Sequence, residues 1–172
     1  MPVIAVSPLS KIAEVAARLK AREMISLLSK DQRFHRPGVI DPARHLNLAV
    51  NDIVAAEDGL THPQEAHVAR VIAFAREWDQ TRPLLVHCWF GVSRSPAAAL
   101  IAALAVRPDL EDAALANMLR EASPQASPNL ALIEIADQML ERRGALIAAV
   151  KAIGRGADYS GEAPFSLVFG EP

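Results

Sequence analysis

Between Pro96 and Val106 the chain reads PAAALIAALAV, with no charged group and no side chain able to donate or accept a hydrogen bond. A helix of that composition has no polar face to offer water, so it must be enclosed on every side. It is also too short to cross a bilayer, which takes about 20 apolar residues. Directly upstream, Pro83 to His87 (PLLVH) is a short apolar run that reads as a buried strand. A buried strand leading through a tight turn into an enclosed helix calls for layers on both sides.

The rest of the chain can supply those layers. Val3 to Val6 predicts a first strand, and Ser10 precedes an amphipathic helix with Ile12, Val15, Ala16 and Leu19 on one face. Met24 to Leu28 and His45 to Val50 predict two more strands. The polar loop Asp31 to Arg44, with Pro37-Gly38, lies between them. After a polar loop from Asn51 to His62, Pro63 suits the first turn of a helix. Val68, Val71, Ile72, Ala75 and Trp78 mark that helix's apolar face. Leu110 to Ala122, Pro128 to Arg142 and Gly144 to Ile153 read as further helices. Gly154 to Pro172 is rich in glycine and proline, but Phe165, Leu167, Val168 and Phe169 favour its docking on the body. Strands alternate with helices early and helices dominate late. The expected fold is α/β, with a small, mostly parallel sheet flanked by helices and a helical C-terminal half. One domain over residues 1–172 is expected, with a core at about 25–140 and a C-terminal helix and docking tail at 144–172.

The chain of 172 residues carries a net charge of −2 and one cysteine. The charge gives no bulk drive toward nucleic acid, and no nucleic-acid motif is present. A single cysteine excludes an internal disulfide and cysteine-rich metal sites. MPVIAVSPLSKIAE lacks the pattern of a secretory signal, so a cytoplasmic setting is expected. His35, His45, His62, His67 and His87 do not form a zinc-type spacing, and no Walker loop is present. No metal or cofactor is therefore expected.

The lone Cys88 sits where the buried strand ends, which is where ligands bind in open α/β sheets. Ser95 suits the N-cap of the enclosed helix and Pro96 its first turn. The segment Cys88 to Arg94 would then wrap a helix N-terminus, whose free N–H groups favour an anion. Gly91 would let backbone approach that anion. Arg94 adds a planar fork of donors matched to phosphate oxygens. Such surroundings favour a thiolate, and a thiolate facing a bound phosphate is a nucleophile aimed at phosphorus. The competing reading is a buried structural thiol.

His87-Cys88-Trp89-Phe90-Gly91-Val92-Ser93-Arg94-Ser95 resembles the H-C-x-x-G-x-x-R-[ST] signature of the cysteine-dependent protein tyrosine phosphatase superfamily. The serine before the arginine is similar to its dual-specificity branch. The resemblance covers roughly Ile25 to Leu140. It implies a phosphocysteine intermediate on Cys88, phosphate binding by Arg94, and help from Ser95 when the thiolate departs. It also implies that His87 supports the loop from behind.

The resemblance further implies an aspartate general acid on a loop after an earlier strand. Asp52, following HLNLAV-Asn51, matches that position; Glu57 and Asp58 in the same loop compete with it. Arg120 followed by Ser127-Pro128-Asn129 is similar to a family pattern in which Asn129 braces the active-site loop.

The sequence departs from the family at Phe90, where alanine is frequent. With Trp89 it puts two large aromatics in the loop, either packed on the body or rimming the pocket. The loop has no lysine, unlike phosphatases of inositol lipids with several phosphates. A phosphotyrosine-recognition loop is also missing. The pocket is thus expected to be shallow, with phosphotyrosine and phosphoserine/threonine both candidates. The expected partner is a phosphorylated protein or a small phosphomonoester. Two other readings stand: a rhodanese-like sulfur transferase, and a phospho-binding module without turnover.

Overall fold

The computed structural model describes residues 1–161 and 163–170; the last two residues of the expected tail, and position 162 within it, lie outside the described residues. Five strands form one sheet: β1 (Val3–Pro8), β2 (Glu23–Leu28), β3 (His45–Ala49), β4 (Leu84–Cys88) and β5 (Phe165–Val168). Their order is β3-β2-β4-β1-β5. The first four strands run parallel, and β5 is antiparallel to β1. The helices are α1 (Ile12–Leu19), α2 (Glu65–Arg76), α3 (Arg94–Val106), α4 (Asp112–Ala122), α5 (Leu130–Met139) and α6 (Ala145–Ala152). This is the α/β layout expected from the sequence. None of the helices, among the described residues, is long and apolar enough to cross a membrane.

Strand periodicity divides the core. Ile4, Val6, Ile25, Leu27, Leu84 and Val86 face the large cluster built around α3. Ala5, Met24 and Leu85 point the other way, onto Ile12, Val15 and Ala16 of α1. From Arg94 to Ala105 every residue of α3 is buried. Its alanines let the sheet and the neighbouring helices approach closely, which answers the demand of an all-apolar helix.

Helices α4 and α5 begin two residues later than the sequence reading, at Asp112 and Leu130, and α5 ends at Met139, short of Arg142; α2 and α3 differ in their caps. Pro63 lies outside α2, whose N-cap is Gln64; the Gln64 N–H donates to His67 Nδ1 (3.0 Å), so a side chain three residues on does the capping. The N-cap of α3 is Ser93, not Ser95, and Pro96 falls at the third helical position. An N–H is unpaired anywhere in a first turn, so proline fits there as well. The shift matters, because it releases the Ser95 hydroxyl from capping.

The tail docks as a strand. Glycine and proline hid β5, whose four residues are recognised by pairing with β1 from Val3↔Val168 to Val6↔Phe165. Leu167 of β5 and Phe169 just after it are buried in the large core cluster. Asp137, at the end of α5, accepts from the N–H groups of Gly144, Leu146 and Ile147 and so caps α6.

Candidate active site

Parallel pairing brings the carboxyl ends of β1, β4 and β3 to one edge of the sheet. Pro8 lies in register with Cys88, and β3 leads into Val50, Asn51 and Asp52. Cys88 is the last residue of β4 and is buried. Its Sγ lies 3.1 Å from Ser95 Oγ and accepts from the Gly91 N–H at 3.3 Å. Both groups can stabilise negative charge on sulfur.

Gly91 has φ +76°, and an added Cβ would stand 3.0 Å from Pro8 N and 3.1 Å from Ser7 C. Glycine is required there because the loop lies against the backbone of β1. Its amide faces the sulfur, and its missing side chain faces the sheet.

Arg94, the first residue of α3, is buried, and its guanidinium NH1 donates to the Val50 carbonyl at 3.0 Å. Its Nε is buried with no hydrogen-bond partner among the described residues. One end of the fork is thus anchored, and a second donor is left for something else.

Asp52 is exposed, and its Oδ1 accepts from Ser93 Oγ (2.7 Å) and Asn129 Nδ2 (2.9 Å). The loop that carries it is tied at the neck: the Asn51 N–H donates to the Thr61 carbonyl, and the Thr61 N–H to Asn51 Oδ1. Glu57 and Asp58 are exposed on the same loop, and neither carboxylate meets the Cys88–Arg94 segment among the described hydrogen bonds. Asn129 caps α5 through Leu132, and its side chain also reaches the Ile53 carbonyl. Its main-chain N–H donates to the Ser93 carbonyl, and the Ser127 N–H to the Val92 carbonyl at 2.7 Å. Asn129 therefore holds the Cys88 loop by its backbone and the Asp52 loop by its side chain.

Behind the loop, His87 is fully buried, and its Nδ1 faces the Cys88 carbonyl at 3.3 Å. Burial pushes its pKa down to about 4, so the ring is neutral at pH 7. A neutral ring donating from Nδ1 accepts at Nε2, and Ser26 Oγ stands there at 2.6 Å. The same oxygen lies 2.8 Å from His45 Nε2. The hydroxyl's one proton goes to His87, so His45 donates to Ser26. Phe34 packs edge-on against both imidazoles. Ser26 and His45 were not singled out in the sequence, although a serine inside MISLL is a polar residue in a buried strand and carries that signal.

Trp89 and Phe90 are 43% and 48% exposed and meet edge to face at 6.4 Å between centroids. They rim the loop and do not pack into the body. Phe90 also lies 5.0 Å from the ring of Tyr159.

The sequence matches no protein-family model, and no curated protein matches it either. Solved structures do match the fold. Human DUSP28 superimposes with a TM-score of 0.61 at 22% identity, covering 81% of this chain and 92% of that one. DUSP15 gives 0.58 at 18%, covering 89% and 88%. The Yvh1 phosphatase domain from Chaetomium thermophilum gives 0.52 at 18%, covering 82% and 92%. The chain thus has the fold seen in these dual-specificity phosphatase structures.

Proposed function

We propose that the protein is a phosphomonoester hydrolase, a protein tyrosine or dual-specificity phosphatase working through a phosphocysteine on Cys88. The observation that carries this reading is Arg94 Nε, a buried donor without a hydrogen-bond partner among the described residues, six positions after the thiol that ends β4. Such a group costs about 1–3 kcal/mol when left unpaired. An oxyanion in the Cys88–Arg94 loop would satisfy it.

In this reading the Cys88 thiolate attacks phosphorus, and the bond from phosphorus to the leaving oxygen breaks. Asp52 gives that oxygen its proton. Water then attacks the phosphocysteine and passes a proton back to Asp52. The sulfur–phosphorus bond breaks, its electron pair returns to Sγ, and the Ser95 hydroxyl stabilises the thiolate. Arg94 and the loop amides hold the non-bridging oxygens, where charge develops. The substrate is a phosphorylated protein or small phosphomonoester, in a cytoplasmic setting that keeps the lone thiol reduced.

The test is hydrolysis of p-nitrophenyl phosphate in EDTA by the parent protein, Cys88→Ser and Arg94→Lys. Turnover by the parent and its loss in both variants is expected. A folded parent without turnover would overturn the reading, and a thiosulfate assay would then test sulfur transfer.

A further inference from the structure

The chain has eight aromatic residues, five Phe, two Trp and one Tyr. Trp78 and Phe169 are buried, and Phe34, Phe74 and Phe165 are half-buried. The exposed ones are Trp89, Phe90 and Tyr159, and these three touch in a row at the thiol's loop. Exposed aromatic surface gathered at one place marks a binding face.

Tyr159 does not arrive there by a loose tail. The Gly156 N–H donates to Ser127 Oγ (2.8 Å), the Ala157 N–H to the Pro124 carbonyl (2.9 Å) and the Ser160 N–H to Gln125 Oε1 (2.7 Å). Arg120 binds the Pro124 carbonyl at 2.6 Å and the Gly154 carbonyl at 2.8 Å, clamping both segments. Gly156 is buried so closely on the Gln125 carbonyl that an added Cβ would overlap it. The turn that receives this strap is the one whose Ser127 N–H holds the Val92 carbonyl of the Cys88 loop. Three main-chain N–H donors, two of them bound to side chains, therefore fix the segment of Tyr159 to the turn that holds the Cys88 loop.

In the chain Phe90 stands between Cys88 and Gly91, whose amide meets Sγ, so its exposed ring is carried by the loop that would hold the phosphate. A leaving group pointing outward from a phosphate in the loop would pass along it. We propose that Tyr159, with Phe90, forms an aromatic wall that contacts the leaving group and makes Tyr159 a specificity-determining residue for flat, aryl phosphate substrates. This rests on the phosphatase reading above. A ring laid against such a wall gains an offset or edge-on aromatic contact that an alkyl leaving group lacks.

The experiment compares kcat/KM for one peptide carrying phosphotyrosine with the same peptide carrying phosphothreonine. Parent, Tyr159→Leu, Tyr159→Phe and Gly156→Val are measured, each checked for folding by thermal melting. Tyr159→Leu keeps apolar bulk without the ring; Gly156→Val displaces the strap. The aryl-to-alkyl ratio is expected to fall roughly two- to tenfold in Tyr159→Leu and Gly156→Val. The change is expected in KM for the phosphotyrosine peptide, and Tyr159→Phe is expected to keep the parental ratio. A ratio unchanged in Tyr159→Leu, or falling equally in Tyr159→Phe, overturns the inference and leaves the phosphatase reading standing. A parent that hydrolyses neither peptide nor p-nitrophenyl phosphate overturns both.

Discussion

Asn129 Nδ2 donates to Asp52 Oδ1 at 2.9 Å, joining the start of α5 to a loop 77 positions away in the chain. The contact fixes where the carboxylate stands, since Ser93 donates to the same oxygen. Asn129→Ala is expected to lower turnover of an alkyl phosphate about tenfold, the scale of one hydrogen bond to a charged group. In an Asp52→Asn background the same substitution should have almost no further effect. A double-mutant cycle measures this coupling. Additive losses would mean that Asn129 acts elsewhere.

Ser26 satisfies two imidazoles at once, at 2.6 and 2.8 Å. Ser26→Ala removes the acceptor for His45 and the donor for His87, and it leaves His87 Nε2 buried and unpaired. A loss of about 1–3 kcal/mol in unfolding free energy is expected from urea denaturation. A variant as stable as the parent would mean that the imidazoles find other partners.

How much of this was readable in advance depends on the range of the cause. The apolar run of α3, the strand before it and the Cys88–Arg94 signature are local patterns, and the structure has them where the sequence puts them. The α3 cap was misread because Ser93-Arg94-Ser95 offers two serines and proline tolerates either start. Strand β5 was missed because FSLV is too short to show a period, and only the edge of β1 makes it a strand. The His45–Ser26–His87 chain joins three strands and has no local pattern. Tyr159 reaches the loop for the same reason, through a strap whose N–H groups bind the side chains of Ser127 and Gln125, which no composition reveals.

Gly91 combines a positive φ with contact against β1, so Gly91→Ala meets two obstacles. Left-handed backbone costs alanine about 1–2 kcal/mol, and the new Cβ would press on the backbone atoms of Ser7 and Pro8. Backbone cannot rotate away as a side chain tip can. The loop would shift and carry the amide off Sγ. Gly91→Ala is expected to lose most p-nitrophenyl phosphatase activity while still melting cooperatively. Full activity in this variant would show that the amide contact to Cys88 is dispensable.

His87 links stability to pH. Its folded-state pKa is about 4, against an ordinary value of 6.5, and burial is the main cause. Between those values the unfolded chain binds a proton at this ring that the folded chain refuses. Stability therefore rises with pH through the window and is fully present above pH 6.5. It falls by roughly 3 kcal/mol as pH drops to about 4. His45 and His67 are also shifted down by burial and push in the same direction. Asp109, held down to about 2 by Arg107, acts below this window. His87→Gln keeps a neutral polar group and removes the titration, while leaving His45, His67 and Asp109 in place. Urea unfolding from pH 4 to 7 is expected to show a clearly shallower pH slope for His87→Gln than for the parent. Equal slopes would show that His87 takes up its proton in the folded state as readily as in the unfolded one, and that the loop is held from behind by something other than a neutral imidazole.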